Sequence, residues 1–253
     1  SRTSAGGEVI GLASLRRMFD TASVTRRRLV PVLAVAAAAL GVPAVADAQL
    51  RLKKCDEGRC GTLSVPLDAT GAVGGRLSLR VMLAPPRRGP RAGATLLLAG
   101  GPGQGGVSAF VGGSFADEWA DMWQGATPRN AIVAFDQRGT GAGALRCRDL
   151  EAAAASDAGR EAAACAAMLG RRRGFFRTTD TVGDIEALRV ALGVERLTIA
   201  GFSYGTYVAQ RYALAHPERV ERLLLDSVVE ASGVDPLYRD VAAAARRLLP
   251  AFC

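Results

Sequence analysis

The sequence has one histidine, His216, and two lysines, Lys53 and Lys54, among 253 residues, with five cysteines and an aromatic content of 6%. Each shortage excludes something. No Cys-x-x-Cys pair stands near histidines, so the ligand spacing of a zinc site is missing and no metal is expected. The net charge of +8 could point to a polyanion. However, a surplus of three positive charges sits in residues 1–48, with Arg2, Arg16, Arg17, Arg26, Arg27 and Arg28 set against three acids. The remainder is scattered among carboxylates. A basic face interleaved with aromatics, which gripping phosphates requires, is not visible, so nucleic acid is not an expected partner. Long hydrophobic runs are also scarce. The run from Leu29 to Ala46 is alanine-rich and broken by Pro31 and Pro43, short of the roughly 20 strongly apolar residues of a spanning helix.

What remains is ordinary for a globular chain: 49% hydrophobic and 22% charged residues, enough for a sizeable core and incompatible with disorder throughout. The bias toward Arg, Ala and Gly resembles a GC-rich bacterial genome and carries no information on fold.

Arg26-Arg27-Arg28, the apolar run and the exit Ala46-Asp47-Ala48 are the three parts of a secretory signal peptide. The expected organisation is therefore an upstream, non-structural extension over 1–17 and a signal peptide over 18–48, with cleavage leaving Gln49 as the new terminus. An uncleaved anchor is the weaker alternative. Thr25–Leu29 also resembles a twin-arginine export signal. The expected location is outside a bacterial cell or in its envelope, with no stable membrane association after cleavage. Cysteine usage agrees: Cys55 with Cys60, and Cys147 with Cys165, would each close a short loop in an oxidising compartment, buried free thiols being the alternative. Cys253 is left over, which suggests a partner beyond it.

Short apolar runs predict strands at Gly61–Pro66, Arg76–Leu83, Thr95–Ala99, Ala131–Phe135, Leu197–Gly201 and Arg222–Asp226. The later ones hardly alternate, as in a parallel sheet covered on both faces. The first two alternate more and suggest an antiparallel edge. Helices are predicted over Asp149–Leu169, Asp180–Leu192 and Tyr204–Ala215. Thr179-Asp180 is a candidate cap for the second, and Gly193 its stop. The alternation predicts an α/β domain over 49–234, with a mostly parallel sheet and helices on both faces. Residues 235–253 would begin a lid or cap.

Three motifs carry chemistry. Gly201-Phe202-Ser203-Tyr204-Gly205 stands between a predicted strand and a predicted helix, the context of a nucleophile elbow. A serine in that sharp turn is strained and presented at the carboxyl edge of the sheet. The backbone N–H of Tyr204 then points to where a tetrahedral oxyanion would form. Gly100-Gly101-Pro102-Gly103 follows the strand whose loop supplies the second oxyanion donor. Pro102 has no N–H, so Gly101 is the candidate. In Asp136-Gln137-Arg138-Gly139-Thr140-Gly141, the residues Asp136 and Arg138 are expected to brace the loops beside the site rather than to react.

Gly-Gly-Pro-Gly, Asp-Gln-Arg-Gly-Thr-Gly and Gly-Phe-Ser-Tyr-Gly-Thr, in this order, resemble the proline iminopeptidase family of α/β-hydrolases. The resemblance is nearest to its secreted branch, the tripeptidyl aminopeptidase-like proteins. Cys60–Asp68 and Leu223–Ser227 support that branch, and the similarity covers roughly residues 55–230. It implies an α/β-hydrolase fold and a Ser-His-Asp mechanism without metal or cofactor. It also implies a peptide substrate that loses short N-terminal units. Two departures stand beside the site: Ala99 replaces a histidine often found there, and Ala142-Gly143 replaces Arg-Ser.

A serine nucleophile needs a base within hydrogen-bond reach. His216 lies 13 residues after Ser203, about 20 Å along a helix rising 1.5 Å per residue, and so is not the base. In this fold the acid and the histidine follow later strands. Asp226, after the next strand, is a minor candidate for the acid. The expectation is an N-terminal portion of a longer secreted serine aminopeptidase, lacking its own base and inactive by itself. A secreted esterase of the same fold and a non-catalytic binding protein are the alternatives. Oligomeric state and residue preference are not legible.

Overall fold

The computed structural model describes residues 48–56, 58–111, 116–232 and positions 243, 246 and 247. The extension expected over 1–17 and the signal peptide expected over 18–48 lie outside the described residues, apart from Ala48. So does the lid expected over 235–253, apart from those three positions, which are helical.

Among the described residues, seven strands form one mixed sheet: β1 (Gln49–Cys55), β2 (Gly58–Pro66), β3 (Arg76–Ala84), β4 (Gly93–Leu98), β5 (Asn130–Phe135), β6 (Leu197–Phe202) and β7 (Val220–Asp226). Their spatial order is β1-β2-β3-β5-β4-β6-β7. The first three run antiparallel to one another, and β3 pairs antiparallel with β5. From β5 through β4 and β6 to β7 all pairings are parallel. The six predicted strands are all present, each within a few residues of its predicted span. β1 is additional: Leu50 and Leu52 pack on the core while Gln49, Arg51 and Lys53 are exposed, a period of two that makes an edge strand.

Among the described residues the sheet is connected and covered by α1 (Gly106–Phe110), α2 (Ala116–Ala126), α3 (Arg148–Ala152), α4 (Ala158–Leu169), α5 (Thr178–Ala191) and α6 (Tyr204–Ala215). Successive strand residues point to opposite faces and join two cores. Leu96, Leu98, Val133, Phe135 and Ile199 pack against α5 and α6. Leu97, Ile132, Ala134 and Ala200 pack against Val107, Phe110 and Trp123 of α1 and α2. Each fully buried Leu, Ile or Phe contributes about 1.5–3 kcal/mol relative to exposure, so these strands are held by both layers. α6 buries Gly205, Val208, Ala209 and Tyr212, one stripe of a 3.6-residue period.

Three local expectations are corrected. The helix expected over Asp149–Leu169 is two, α3 and α4, and neither buries a residue. Both belong to a surface excursion whose ends are tied by the Cys147–Cys165 disulfide. α5 begins two residues earlier than expected, at Thr178, because Asp180 acts from inside its first turn. Its Oδ2 accepts the Arg177 N–H at 3.0 Å, so Thr179 is not the cap. Gly193 does end that helix: at φ 67° it lets its own N–H reach the Val190 carbonyl and the Val194 N–H reach the Arg189 carbonyl. Cys55 pairs with Cys60 across the β1–β2 hairpin.

Candidate active site

β6 ends at Phe202 and α6 begins at Tyr204, leaving a single residue, Ser203, to make the turn. Its backbone sits at φ 52° and ψ −120°, a conformation that an L-residue adopts only when its surroundings force it. The force comes from close packing of α6 on the sheet. A Cβ on Gly205 would lie 2.1 Å from the Leu98 carbonyl oxygen of β4, and one on Gly201 would lie 2.6 Å from the Gly205 oxygen. Only hydrogen fits at both positions, which is why glycines flank the serine at this spacing. The turn sets Ser203 at the N-terminal, positive end of α6. There the first N–H groups, that of Tyr204 included, have no carbonyl of their own helix to bond. The Tyr204 side chain is held off to one side, its hydroxyl 2.8 Å from Thr178 Oγ1 and its ring stacked on Tyr207.

The glycine loop after β4 closes against this turn. A Cβ on Gly100 would lie 3.0 Å from Ser203 Cβ, so Gly100 is the glycine in contact with the nucleophile turn. Gly101 follows at φ 110°, joined to Pro102 by a cis peptide bond. The structure thus brings Ser203, Tyr204 and the Gly100-Gly101 backbone together at the carboxyl ends of β6 and β4.

Asp136, at the end of β5, is 3% exposed. Its Oδ1 accepts the Val107 N–H of α1 at 2.9 Å, and its Oδ2 accepts the Ala142 N–H at 3.0 Å. Both carboxylate oxygens are therefore spent on tying the helix after the glycine loop to the Gly139–Gly143 loop. Gln137 donates to the Ala99 carbonyl at 3.3 Å, bracing the same glycine loop from below. Arg138 donates to both oxygens of Asp184 and to the carbonyls of Leu67 and Phe175. Burial pushes the Asp184 carboxyl up to about 6, against hydrogen bonds and charge from Arg138 that pull it down. The two hydrogen bonds from the Arg138 guanidinium favour its ionised form. Gln137 and Asp184 were not among the candidates from the sequence. Asp184 had a signal, since it falls on the buried side of α5 between Thr181 and Leu188. A charge on an apolar stripe calls for a buried partner.

Asp226 ends β7 opposite Phe202. Its carbonyl oxygen accepts the Ser203 N–H at 3.0 Å, and its carboxylate accepts from the Ser227 hydroxyl at 2.9 Å. His216 caps the far end of α6, ring against Tyr212 at 5.1 Å. Twelve helical residues separate it from the elbow, about 18 Å at 1.5 Å per residue, and the structure does not bring it to Ser203. A cavity of about 640 Å³ opens beyond the glycine loop, lined in part by Gly103, Asp136, Arg80 and Arg146. Ser203 is not on its wall. Among the described residues no cluster of His, Cys, Asp and Glu could hold a metal ion.

The family described as alpha/beta hydrolase fold matches residues 96–252. The serine protease Hip1 of Mycobacterium tuberculosis is 29% identical over 203 residues, covering 72% of this chain and 38% of that protein. The tripeptidyl aminopeptidase of Streptomyces lividans is 29% identical over 197 residues, covering 69% of this chain and 36% of that protein. Among solved structures, a proline iminopeptidase-related protein from Thermus thermophilus aligns at 24% identity and a TM-score of 0.39, over 70% of this chain and 44% of that one. The chain spans less than two fifths of the two curated relatives, at 38% and 36% of their lengths. The match to this family over residues 96–252, with the nucleophile-elbow turn and the two-faced sheet, makes the chain a member of the alpha/beta hydrolase family.

Proposed function

We propose that residues 49–234 carry the nucleophile half of a secreted serine aminopeptidase that releases short units from peptide N-termini. The observation that carries this is the forced backbone of Ser203 between β6 and α6. Ser203 Oγ attacks the scissile carbonyl, and the N–H groups of Tyr204 and Gly101 receive the oxyanion. No metal or cofactor takes part. The base comes from outside residues 1–253, because the one histidine of the sequence caps the wrong end of α6. Asp226 spends its carbonyl on the Ser203 amide and stays the minor candidate for the acid. The peptide class of substrate rests on the names of the relatives, one a serine protease and one a tripeptidyl aminopeptidase. Export rests on the basic-apolar-small pattern of residues 26–48. Among the described residues no helix is long and apolar enough to cross a membrane.

The test is to express the reading frame together with the coding sequence that follows residue 253. Aminoacyl and tripeptidyl chromogenic amides, with free and blocked N-termini, are then compared with short acyl esters. Turnover of free-amine tripeptidyl amides, abolished by Ser203→Ala, is the expected result. Turnover of esters alone would make it an esterase. No turnover, with no histidine loop in the added sequence, would leave a binding protein on a hydrolase scaffold.

A further inference from the structure

Both backbone groups of Ser203 are taken up in one closed circuit of hydrogen bonds. Its N–H donates to the Asp226 carbonyl at 3.0 Å. Its carbonyl accepts from the Thr206 N–H at 2.9 Å and from the Thr206 hydroxyl at 2.6 Å. The Thr206 oxygen in turn accepts the Val229 N–H at 2.8 Å. Gln210, one helical turn on, donates to the Val229 carbonyl at 2.8 Å and to the Thr206 carbonyl at 2.9 Å. The chain from Asp226 to Val229 closes the ring.

Three features set this circuit apart from an ordinary helix start. Thr206 is fully buried, so no water can replace its hydroxyl, whose proton and one lone pair are both committed. Val228 and Val229 are 60% and 37% exposed, so apolar burial does not fix the segment after β7, and the two side chains of α6 hold its backbone instead. Finally, the positive-φ non-glycine residues among the described residues are Ser203 at 52° and Ser227 at 57°, and both lie within the ring. Such a residue persists only where its surroundings over-determine it.

We propose that Thr206 and Gln210 form a positioning clamp for the nucleophile. The Thr206 hydroxyl holds the Ser203 carbonyl and so fixes the strained turn that aims Oγ. Gln210 pins Val229, so that the chain leaving β7 and the nucleophile move as one unit. Anything that displaces the chain beyond residue 229 is thereby felt at Ser203. The proposal rests on Ser203 being the nucleophile.

The experiment uses the protein with its following coding sequence, and compares Thr206→Val, Thr206→Ser and Gln210→Ala with Ser203→Ala. A tripeptidyl chromogenic amide gives kcat and KM, and a fluorophosphonate probe gives the rate of Ser203 labelling. Thr206→Val keeps the shape and loses the hydroxyl. It is expected to lower kcat and labelling by about tenfold or more, the rate equivalent of one hydrogen bond, while KM changes by less than about threefold. Thr206→Ser is expected to return both to within about threefold of the parent, and Gln210→Ala to show the same pattern more weakly. Amide exchange at Ser203 and Val229 should quicken in Thr206→Val and Gln210→Ala. Parental kcat in Thr206→Val, or equal loss in Thr206→Ser, with Ser203→Ala inactive, overturns the clamp alone. Should Thr206→Val fail to fold, parental kcat and amide exchange in Gln210→Ala does so. Retained turnover in Ser203→Ala overturns the nucleophile reading and the clamp with it.

Discussion

The guanidinium of Arg138 lies fork to fork against the carboxylate of Asp184, with Nη2 2.6 Å from Oδ1 and Nε 2.7 Å from Oδ2. The two side chains are 5% and 2% exposed. Removing either partner leaves a buried charge without its counterpart, at a cost of about 3–5 kcal/mol. Arg138→Met and Asp184→Leu are each expected to lose that much in urea unfolding at neutral pH. The double variant should lose much less than the sum of the two. It should still fall below the parent, because the Leu67 and Phe175 carbonyls lose the donor that Arg138 gives them. Additive losses would show that the pair is not coupled.

Glycines give a prediction of opposite signs at two positions. A Cβ at Gly205 would meet the Leu98 carbonyl oxygen at 2.1 Å, and that atom is backbone in a central strand. Gly205→Ala is therefore expected to force α6 off the sheet and to destabilise by several kcal/mol, roughly the cost of overpacking a core. Gly183 lies inside α5 with nothing within 4 Å of a Cβ. Gly183→Ala should stabilise by about 0.5–1 kcal/mol, the difference in helix propensity. Chemical unfolding of both variants checks the pair. A neutral Gly205→Ala would mean that the elbow is looser than its geometry states.

Asp68 supplies a pH dependence. Its carboxylate accepts the Thr70 hydroxyl at 2.8 Å, the Thr70 N–H at 2.8 Å and the Val73 N–H at 2.9 Å. These bonds, that of the Thr70 hydroxyl foremost, hold its carboxyl below the usual value. The folded state then binds this proton less tightly than the unfolded chain. The stabilisation is complete above the unfolded value of about 3.9 and is lost as pH falls through the lower, folded value. Asp68→Asn should flatten that acid limb and leave the slope above about pH 5 unchanged. Stability followed against pH in both proteins tests this, and parallel acid limbs would contradict it.

The parts of the fold legible in the sequence are those governed by local pattern. β4, β5 and β6 are near-continuous apolar runs because both faces are buried. α6 runs from Tyr204 to Ala215, as the residues between the elbow and Pro217 imply. At the candidate site, the forced turn at Ser203 was legible because its tight packing admits only glycine on either side. What stayed hidden depends on contacts distant in sequence. Asp184 meets Arg138 across 46 positions, and Val229 meets Thr206 across 23. No spacing rule reaches that far. β1 was hidden for another reason. Leu50 and Leu52 alternate with Arg51 and Lys53, but over only two periods directly after a small-x-small processing pattern, which is too short a repeat to mark a strand by itself. The two-helix break near Ala153 was masked by an alanine-rich stretch in which propensity favours helix throughout.

The last prediction concerns β7, which ends the described sheet and pairs only with β6. Its leucines face both layers, Leu223 and Leu225 toward the α5–α6 core and Leu224 toward the α1–α2 core, yet all three are only half-buried. Close in the chain, Val228 and Leu214 are 60% and 67% exposed. A strand that is paired on one side only among the described residues, with an exposed apolar residue just after it, is a template for another strand. The 253-residue chain by itself is therefore expected to associate as its concentration rises, and sedimentation velocity across a concentration series measures this. Val228→Lys sets a charge beside the edge while leaving the core untouched, and should raise the concentration at which association begins. A chain that stays monomeric throughout the series and unfolds in one cooperative step would show that the β7 edge is already protected.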